Sequence, residues 1–368
     1  MTRKSATMAL PNNEHRPTSA PGDEPRHLFD LGYDDLVAWL DQRGERPYRA
    51  RQILEWIYRH QIADFDAVSS LSKRLRVQLA ASFSIYQSSI ERTQAAADGT
   101  TKLLLRWPDG ATTECVLIPD GKRQTACIST QVGCPVRCVF CASGIDGLTR
   151  NLTRGQIVEQ AMRVAQLICK PDRLTNVVFM GLGEPLANYA ATVGAISVIN
   201  AADGLNIGAR KITVSTVGLP SQMRRLAEAG WQITLALSLH APTDALRREL
   251  IPWADNVTIN ELVDAARYFF ECTGREVTLE YVLLDGVNNR PEHADRLAAL
   301  TRRMRCNVNL IRYHPVEGLP YTRPTGESTH AFVDRLANAG VNVHVRKSRG
   351  LDIDAACGQL RRRAAAVH

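Results

Sequence analysis

The sequence predicts an α/β protein: a partial (β/α)6-type barrel preceded by a small helical domain. Three observations lead there. Strand-like segments alternate with amphipathic helical segments along 126–345. Ahead of them, 28–86 carries only helical periodicity. Short polar and glycine-containing clusters also follow successive strand-like segments, as site residues do at the C-terminal ends of strands in parallel α/β folds.

Residues 1–25 are rich in Pro, Asn, Ser and charge and read as a disordered lead-in. In the helical domain, 26–88, "YDDLVAWLDQRG" sets Leu36, Trp39 and Leu40 on one face, and Gly44 ends the pattern. "YRARQILEWIYRHQ" repeats it with Ile53, Trp56 and Ile57, and "LSKRLRVQLAASF" with Leu71, Leu75 and Leu79. Arg43, Arg46, Arg49, Arg51, Arg59, Lys73, Arg74 and Arg76 stud the polar faces. Solvated charge and phosphate contact both fit that spacing.

A β-hairpin extension follows over 89–123: "TKLLLRW", a Pro108-Asp109-Gly110 turn, then "TTECVLI", which carries Glu114. In the region assigned to the barrel, 124–350, strands are predicted at 126–130, 176–180, 211–216, 233–238, 277–283 and 307–311, with a last one at 341–345. Helices fit 189–201, 221–229, 260–272, 292–304 and 329–339, and another starts at Thr153, where Gln156 completes a capping box. Such alternation argues a parallel sheet with helices outside. No closing pair is visible, which favours a partial barrel, with a doubly wound open sheet as the alternative. Residues 351–368 form a C-terminal segment containing Cys357.

A chain of 368 residues can bury a large core. Its net charge of +7 suggests a polyanionic partner. No apolar run reaches membrane-span length. The N-terminal "MTRKSATMALPNNEHRP" lacks the apolar core of a signal peptide, so a cytoplasmic location is expected. The nine cysteines are odd in number and unevenly clustered, which points to metal or redox chemistry over a secreted disulfide framework. Cys169, Cys272 and Cys306 read as inert, and Cys115 takes no role.

"CISTQVGCPVRCVFC" holds four of them. Cys134, Cys138 and Cys141 form C-x3-C-x2-C on the loop between the first strand and the Thr153 helix. Three thiolates on a [4Fe–4S] cluster leave one iron free for a ligand, whereas an electron carrier normally uses four. A structural zinc site with Cys127 as fourth ligand, or a four-cysteine cluster, remains open on spacing alone. "MGLGEP", "STVG", "SLHAP" and "RYHP" follow later strands.

These residues carry a family resemblance. "CISTQVGCPVRCVFCASG", "VVFMGLGEPLANY", "ITVSTVGLP", "LALSLHAP", "EYVLLDGVNN" and "GLDIDAACGQL" occur in order, with "RARQILEWIY" and "LSKRLR" ahead of them. Together they resemble the RlmN/Cfr family of radical S-adenosylmethionine (SAM) RNA adenine methyltransferases over 27–362. The resemblance implies a radical SAM barrel whose cluster is held by Cys134, Cys138 and Cys141. It implies S-adenosyl-L-methionine contacts from Gly183, Glu184, Ser215, Ser238, Leu239, His240 and His314. It implies two cofactor molecules per turnover: one methylates Cys357, the other yields a 5′-deoxyadenosyl radical that takes hydrogen from the S-methyl group. The methylene radical adds to an adenine ring carbon, a poor nucleophile out of reach of direct methylation. Cys127 then resolves the crosslink through a disulfide with Cys357, and Glu114 accepts the ring proton. Carbon 2 of an adenine in 23S rRNA is the implied target, with carbon 8 as the alternative and tRNA as a second substrate. An electron donor such as flavodoxin or ferredoxin is implied as partner, no membrane is involved, and a monomer is expected.

One stretch departs from the pattern. The family's "NLIPYNP" is "NLIRYHP" here, so Arg312 and His314 change the polar groups beside the sixth strand. RNA contacts are expected at the basic helices, at "RNLTR" and at "RKSRG". A radical SAM enzyme with a non-RNA substrate would need no basic accessory domain. A non-catalytic iron–sulfur RNA-binding module would need neither "GEP" nor the distal cysteine.

Overall fold

The computed structural model describes residues 25–360. The lead-in at 1–24 and the last eight positions of the C-terminal segment lie outside the described residues. Three N-terminal helices form where the apolar spacing places them: α1 (Tyr33–Asp41), α2 (Tyr48–Tyr58) and α3 (Lys73–Ser82). Leu36, Ile53, Leu75 and Leu79 are buried between them. Ser72 caps α3 by accepting from the Leu75 amide at 3.2 Å.

Ten strands then make one sheet. β1 (Ser89–Ala95), β2 (Thr101–Arg106), β3 (Thr112–Asp120) and β4 (Arg123–Cys127) run antiparallel to one another. From β4 the sheet is parallel through β5 (Asn176–Phe179), β6 (Ile212–Thr216), β7 (Thr234–Ser238), β8 (Val277–Leu283), β9 (Cys306–Arg312) and β10 (Val343–Val345). Helices α4 (Arg154–Ala165), α5 (Tyr189–Asn200), α6 (Pro220–Glu228), α7 (Asp244–Leu250), α8 (Ile259–Thr273), α9 (Pro291–Thr301) and α10 (Gly326–Asn338) connect them. Spatial order follows chain order from β1 to β10. A doubly wound sheet would reverse its order at a switch point; this one does not, and β10 does not pair with β4. The result is an open barrel.

The strand expected at 126–130 lies at Arg123–Cys127. Its first half is polar because it borders a hollow, so the apolar residues after it misplaced the segment. The hairpin at 89–123 gains a third strand, β1, whose residues are almost all exposed and show no alternation. It is the antiparallel edge of the barrel sheet. Helix α7 was absent from the sequence reading because its seven residues are too few to display a period. No helix among the described residues is long and apolar enough to cross a membrane.

Candidate active site

The loop after β4 is shaped by backbone contact. At Gly133, φ is +82° and a Cβ would stand 1.9 Å from the Gly147 carbonyl oxygen, so only glycine fits. The Cys134 amide donates to that same oxygen at 3.1 Å, closing the loop. Cys134, Cys138 and Cys141 are thereby brought to one cavity of about 180 Å³. Burial pushes their thiols up, Cys134 to about 12. Amides of Val136 and Arg137 at Cys134, and of Ser143 and Gly144 at Cys141, work the other way by favouring the thiolates.

Cys127 and Cys357 line the same cavity. Cys127 ends β4 opposite Val116 of β3 and packs with Val116, Leu182, Ile353 and Ala355. Burial pushes its thiol up to about 12, and the charged neighbours it feels are Cys357 and Arg346. The C-terminal segment that delivers Cys357 is pinned on both sides. The Ala142 amide donates to the Gly358 carbonyl at 2.8 Å, and Ser143 Oγ to the Leu360 carbonyl at 2.9 Å. Lys102 Nζ donates to the Asp354 carbonyl at 3.2 Å, and the Ala97 amide to Asp352 at 3.0 Å.

The residues after the other strands arrive by different routes. Gly183 has φ of +107°, and a Cβ there would meet Gln131 Cβ at 2.7 Å. Glu184 lines the cavity, but its carboxylate also caps the loops around it. It accepts from the Leu186 amide at 3.0 Å and the Val217 amide at 2.7 Å. Burial pushes it up to about 7. Ser215 and Ser238 face one another across β6 and β7 with oxygens 3.3 Å apart, and both line the cavity. His240 adopts φ of +58°, a strained conformation for a non-glycine residue. Its Nδ1 accepts from the Val282 amide at 3.1 Å, which leaves the proton on Nε2. Burial pushes its pKa down to about 3, so the ring stays neutral.

Three expected residues do not reach this cavity. Leu239 is buried, and its amide donates to the Glu280 carbonyl at 3.0 Å. His314 lines a second hollow of about 460 Å³ inside the open barrel, with its Nε2 2.8 Å from Ser348 Oγ. Burial, aided by Arg323 and Arg312, pushes His314 down to about 4. Glu114 lines a third cavity of about 320 Å³ behind the C-terminal segment, 3.1 Å from Lys102 Nζ. Period-two alternation along β3 does put it on the face of Val116, opposite the buried Cys115.

Glu280 went unassigned in the sequence reading, and Arg346 was expected only at the RNA, within "RKSRG", although both line the cavity. A glutamate in the apolar strand "VTLEYVL" was the available signal for the first. The barrel hollow shares walls with the cysteine cavity at Met180, Glu280, Ile311, Arg346, Ala356 and Cys357.

An open parallel barrel with three cysteines on the loop after its first parallel strand defines a radical SAM enzyme, and residues 128–298 match the "Radical SAM superfamily" model. Residues 26–85 match the "Ribosomal RNA large subunit methyltransferase N-terminal domain". The probable dual-specificity RNA methyltransferase RlmN of Rhodopirellula baltica is 44% identical over 355 residues, 96% of each chain. The protein of that name from Symbiobacterium thermophilum is 46% identical over 340 residues, 92% of each. The crystal structure of a radical SAM methyltransferase from Sphaerobacter thermophilus superposes with a TM-score of 0.89 at 45% identity, over 92% of this chain and 99% of that one. The chain belongs to the RlmN family of radical SAM methyltransferases.

The family implies a [4Fe–4S] cluster and SAM, and the residues fit them. Three thiols share one cavity wall, with backbone amides turned to the sulfurs of Cys134 and Cys141.

Proposed function

We propose that the protein methylates carbon 2 of an adenine in 23S rRNA, and in tRNA, by way of an S-methylcysteine at Cys357. The observation that carries this is the convergence of Cys127 and Cys357 on the cavity of the three-cysteine loop. An electron carrier has no use for two further thiols there. The curated relatives are named as dual-specificity RNA methyltransferases, which supports two RNA classes as substrates.

Cys134, Cys138 and Cys141 would hold the cluster, and Gly183, Glu184, Ser215, Ser238 and His240 would hold the cofactor. When bound, the cluster and two SAM molecules per turnover supply one-electron chemistry and the methyl group. Cys357 carries the methyl carbon to the base and remains bonded to it. Cys127, its close neighbour in the cavity, attacks the Cys357 sulfur, forms a disulfide and frees the methylated adenine. Glu114 accepts the ring proton; it shares a strand face with the Cys127 side of the sheet, and its carboxylate lies 3.1 Å from Lys102 Nζ. His314 serves the RNA side of the barrel hollow, and the basic N-terminal helices contact RNA phosphates. A flavodoxin- or ferredoxin-like donor supplies electrons to the monomer in the cytoplasm.

Mass mapping of methyladenine in rRNA and tRNA, from cells with and without the gene, tests the assignment; 8-methyladenine would overturn the carbon-2 target. In the purified enzyme, Cys357→Ala should abolish methylation with iron retained. Cys127→Ala should accumulate a covalent RNA–protein adduct. Loss of iron from Cys127→Ala would overturn its role as resolving thiol.

A further inference from the structure

The register of the extension sheet places one cation beside Glu114. Lys102 of β2 lies opposite Val116 of β3, and Leu104 lies opposite Glu114. Lys102 and Glu114 are therefore diagonal neighbours on one face, within reach of a long side chain. Lys102 Nζ and Glu114 Oε1 stand 3.1 Å apart, and each side chain is 7% exposed. A pair this buried persists only where further hydrogen bonds support it. Lys102 makes one by donating to the Asp354 carbonyl at 3.2 Å.

Asp354 stands three residues before Cys357. The turn that leads there is fixed to the β1–β2 hairpin by other groups as well. The Gly350 amide donates to Asp98 at 3.1 Å, and the Ala97 amide to Asp352 at 3.0 Å. Gly350 has φ of +62°, and a Cβ there would meet Thr100 Cγ2 at 2.9 Å. Asp354 and Gln359 line the third cavity, whereas Cys357 between them lines the cysteine cavity. The segment is thus a wall with Cys357 on one side and Glu114 on the other. Lys102 is the one cation among the residues lining the Glu114 side, which also include Glu317. An adenine carbon bonded from Cys357 and deprotonated by Glu114 must meet both groups, so their spacing governs turnover.

We propose that Lys102 is a positioning residue for Glu114. Its ammonium holds the carboxylate at a set distance from the Cys357 segment, so the ring proton can leave once the methyl carbon is bonded to the base. This rests on the roles given above to Glu114 and Cys357. In that step a Glu114 oxygen takes the proton, and the C–H bonding pair stays with the ring. Glu114 becomes neutral and its attraction to Lys102 weakens. The bond from Lys102 to the Asp354 carbonyl then keeps the segment in place.

The test uses reconstituted holoenzyme and RNA deuterated at the methylated ring carbon, with wild type, Lys102→Met, Lys102→Arg and Glu114→Gln. Methylation of Cys357, read by mass spectrometry, precedes the proton step and reports folding and cofactor binding. Lys102→Met should methylate Cys357 normally but slow RNA methylation by ~10-fold or more. It should also accumulate the covalent RNA–protein adduct and show a raised deuterium isotope effect. Lys102→Arg should restore most of the rate and bring the isotope effect back toward wild type. A wild-type isotope effect in Lys102→Met with methylated Cys357 overturns the proposal, because a clamp on the segment alone would not touch the C–H step. If Lys102→Met fails to methylate Cys357, Lys102→Gln, which retains a donor for the Asp354 carbonyl, decides. A raised isotope effect there supports the proposal; a wild-type one, or unmethylated Cys357, overturns it. A Glu114→Gln enzyme that turns over like wild type would instead remove Glu114 as the proton acceptor.

Discussion

Asn288 shows how much of the site one buried amide can hold. Its Nδ2 donates to the His240 carbonyl at 2.8 Å and the Val282 carbonyl at 2.6 Å, and its Oδ1 accepts from the Leu284 amide at 2.8 Å. The Val282 amide is the group that fixes the His240 ring. Asn288 therefore supports both the strained backbone and the tautomer of His240. Asn288→Ala leaves several buried polar groups without partners and should lower stability by about 3 kcal/mol, read as an earlier urea midpoint. Cofactor affinity should fall with it, because His240 loses its anchor. At this scale the sequence was legible where spacing carries chemistry, as for Cys134, Cys138 and Cys141. It was partly legible for Glu184, whose motif marks its place at the cavity but not the loop capping its carboxylate performs.

Among the elements, α4 illustrates local encoding. Thr153 accepts from the Gln156 amide at 3.2 Å, and Gln156 accepts from the Thr153 amide at 3.2 Å, the capping box expected from the sequence. The hydroxyl also donates to Asp30 at 3.0 Å, a link no local pattern could show. Thr153→Ala should lower stability by about 1 kcal/mol, measured by denaturant unfolding, while Thr153→Ser should be close to neutral. Strand β8 fell at its expected residues because both its faces are largely buried and its run is apolar apart from Thr278 and Glu280. Strands β1 and β4 were missed or shifted for the opposite reason. β1 is exposed, and β4 opens with polar side chains beside the barrel hollow. Their positions follow from strand pairing, in a local hairpin for β1 and also with the distant β5 for β4, which apolar periodicity does not record.

For the whole molecule, the decisive contact is between the N-terminal helices and the barrel, and it converges on one carboxylate. Glu159 of α4 is fully buried and accepts from the amides of Gln87 and Ser88, each at 2.9 Å, and from Ser88 Oγ at 2.5 Å. His27 Nε2 lies 3.1 Å away and Arg163 Nε 3.4 Å. Tyr86 and the buried Cys115 are further titratable neighbours. Burial raises the Glu159 pKa, but His27, Ser88 and Gln87 together outweigh it and hold it below the usual 4.5. A carboxylate depressed in the folded state contributes stability that is present above its unfolded pKa and lost as pH falls through the folded value. Glu159→Gln should therefore reduce stability at pH 7 by on the order of 3 kcal/mol, because Arg163 loses its buried partner. The gap should close as pH drops below 4.5. Urea unfolding of both proteins from pH 7 downward tests this: converging curves mean the two parts are joined through the ionised carboxylate, and a gap constant with pH means they are joined through packing.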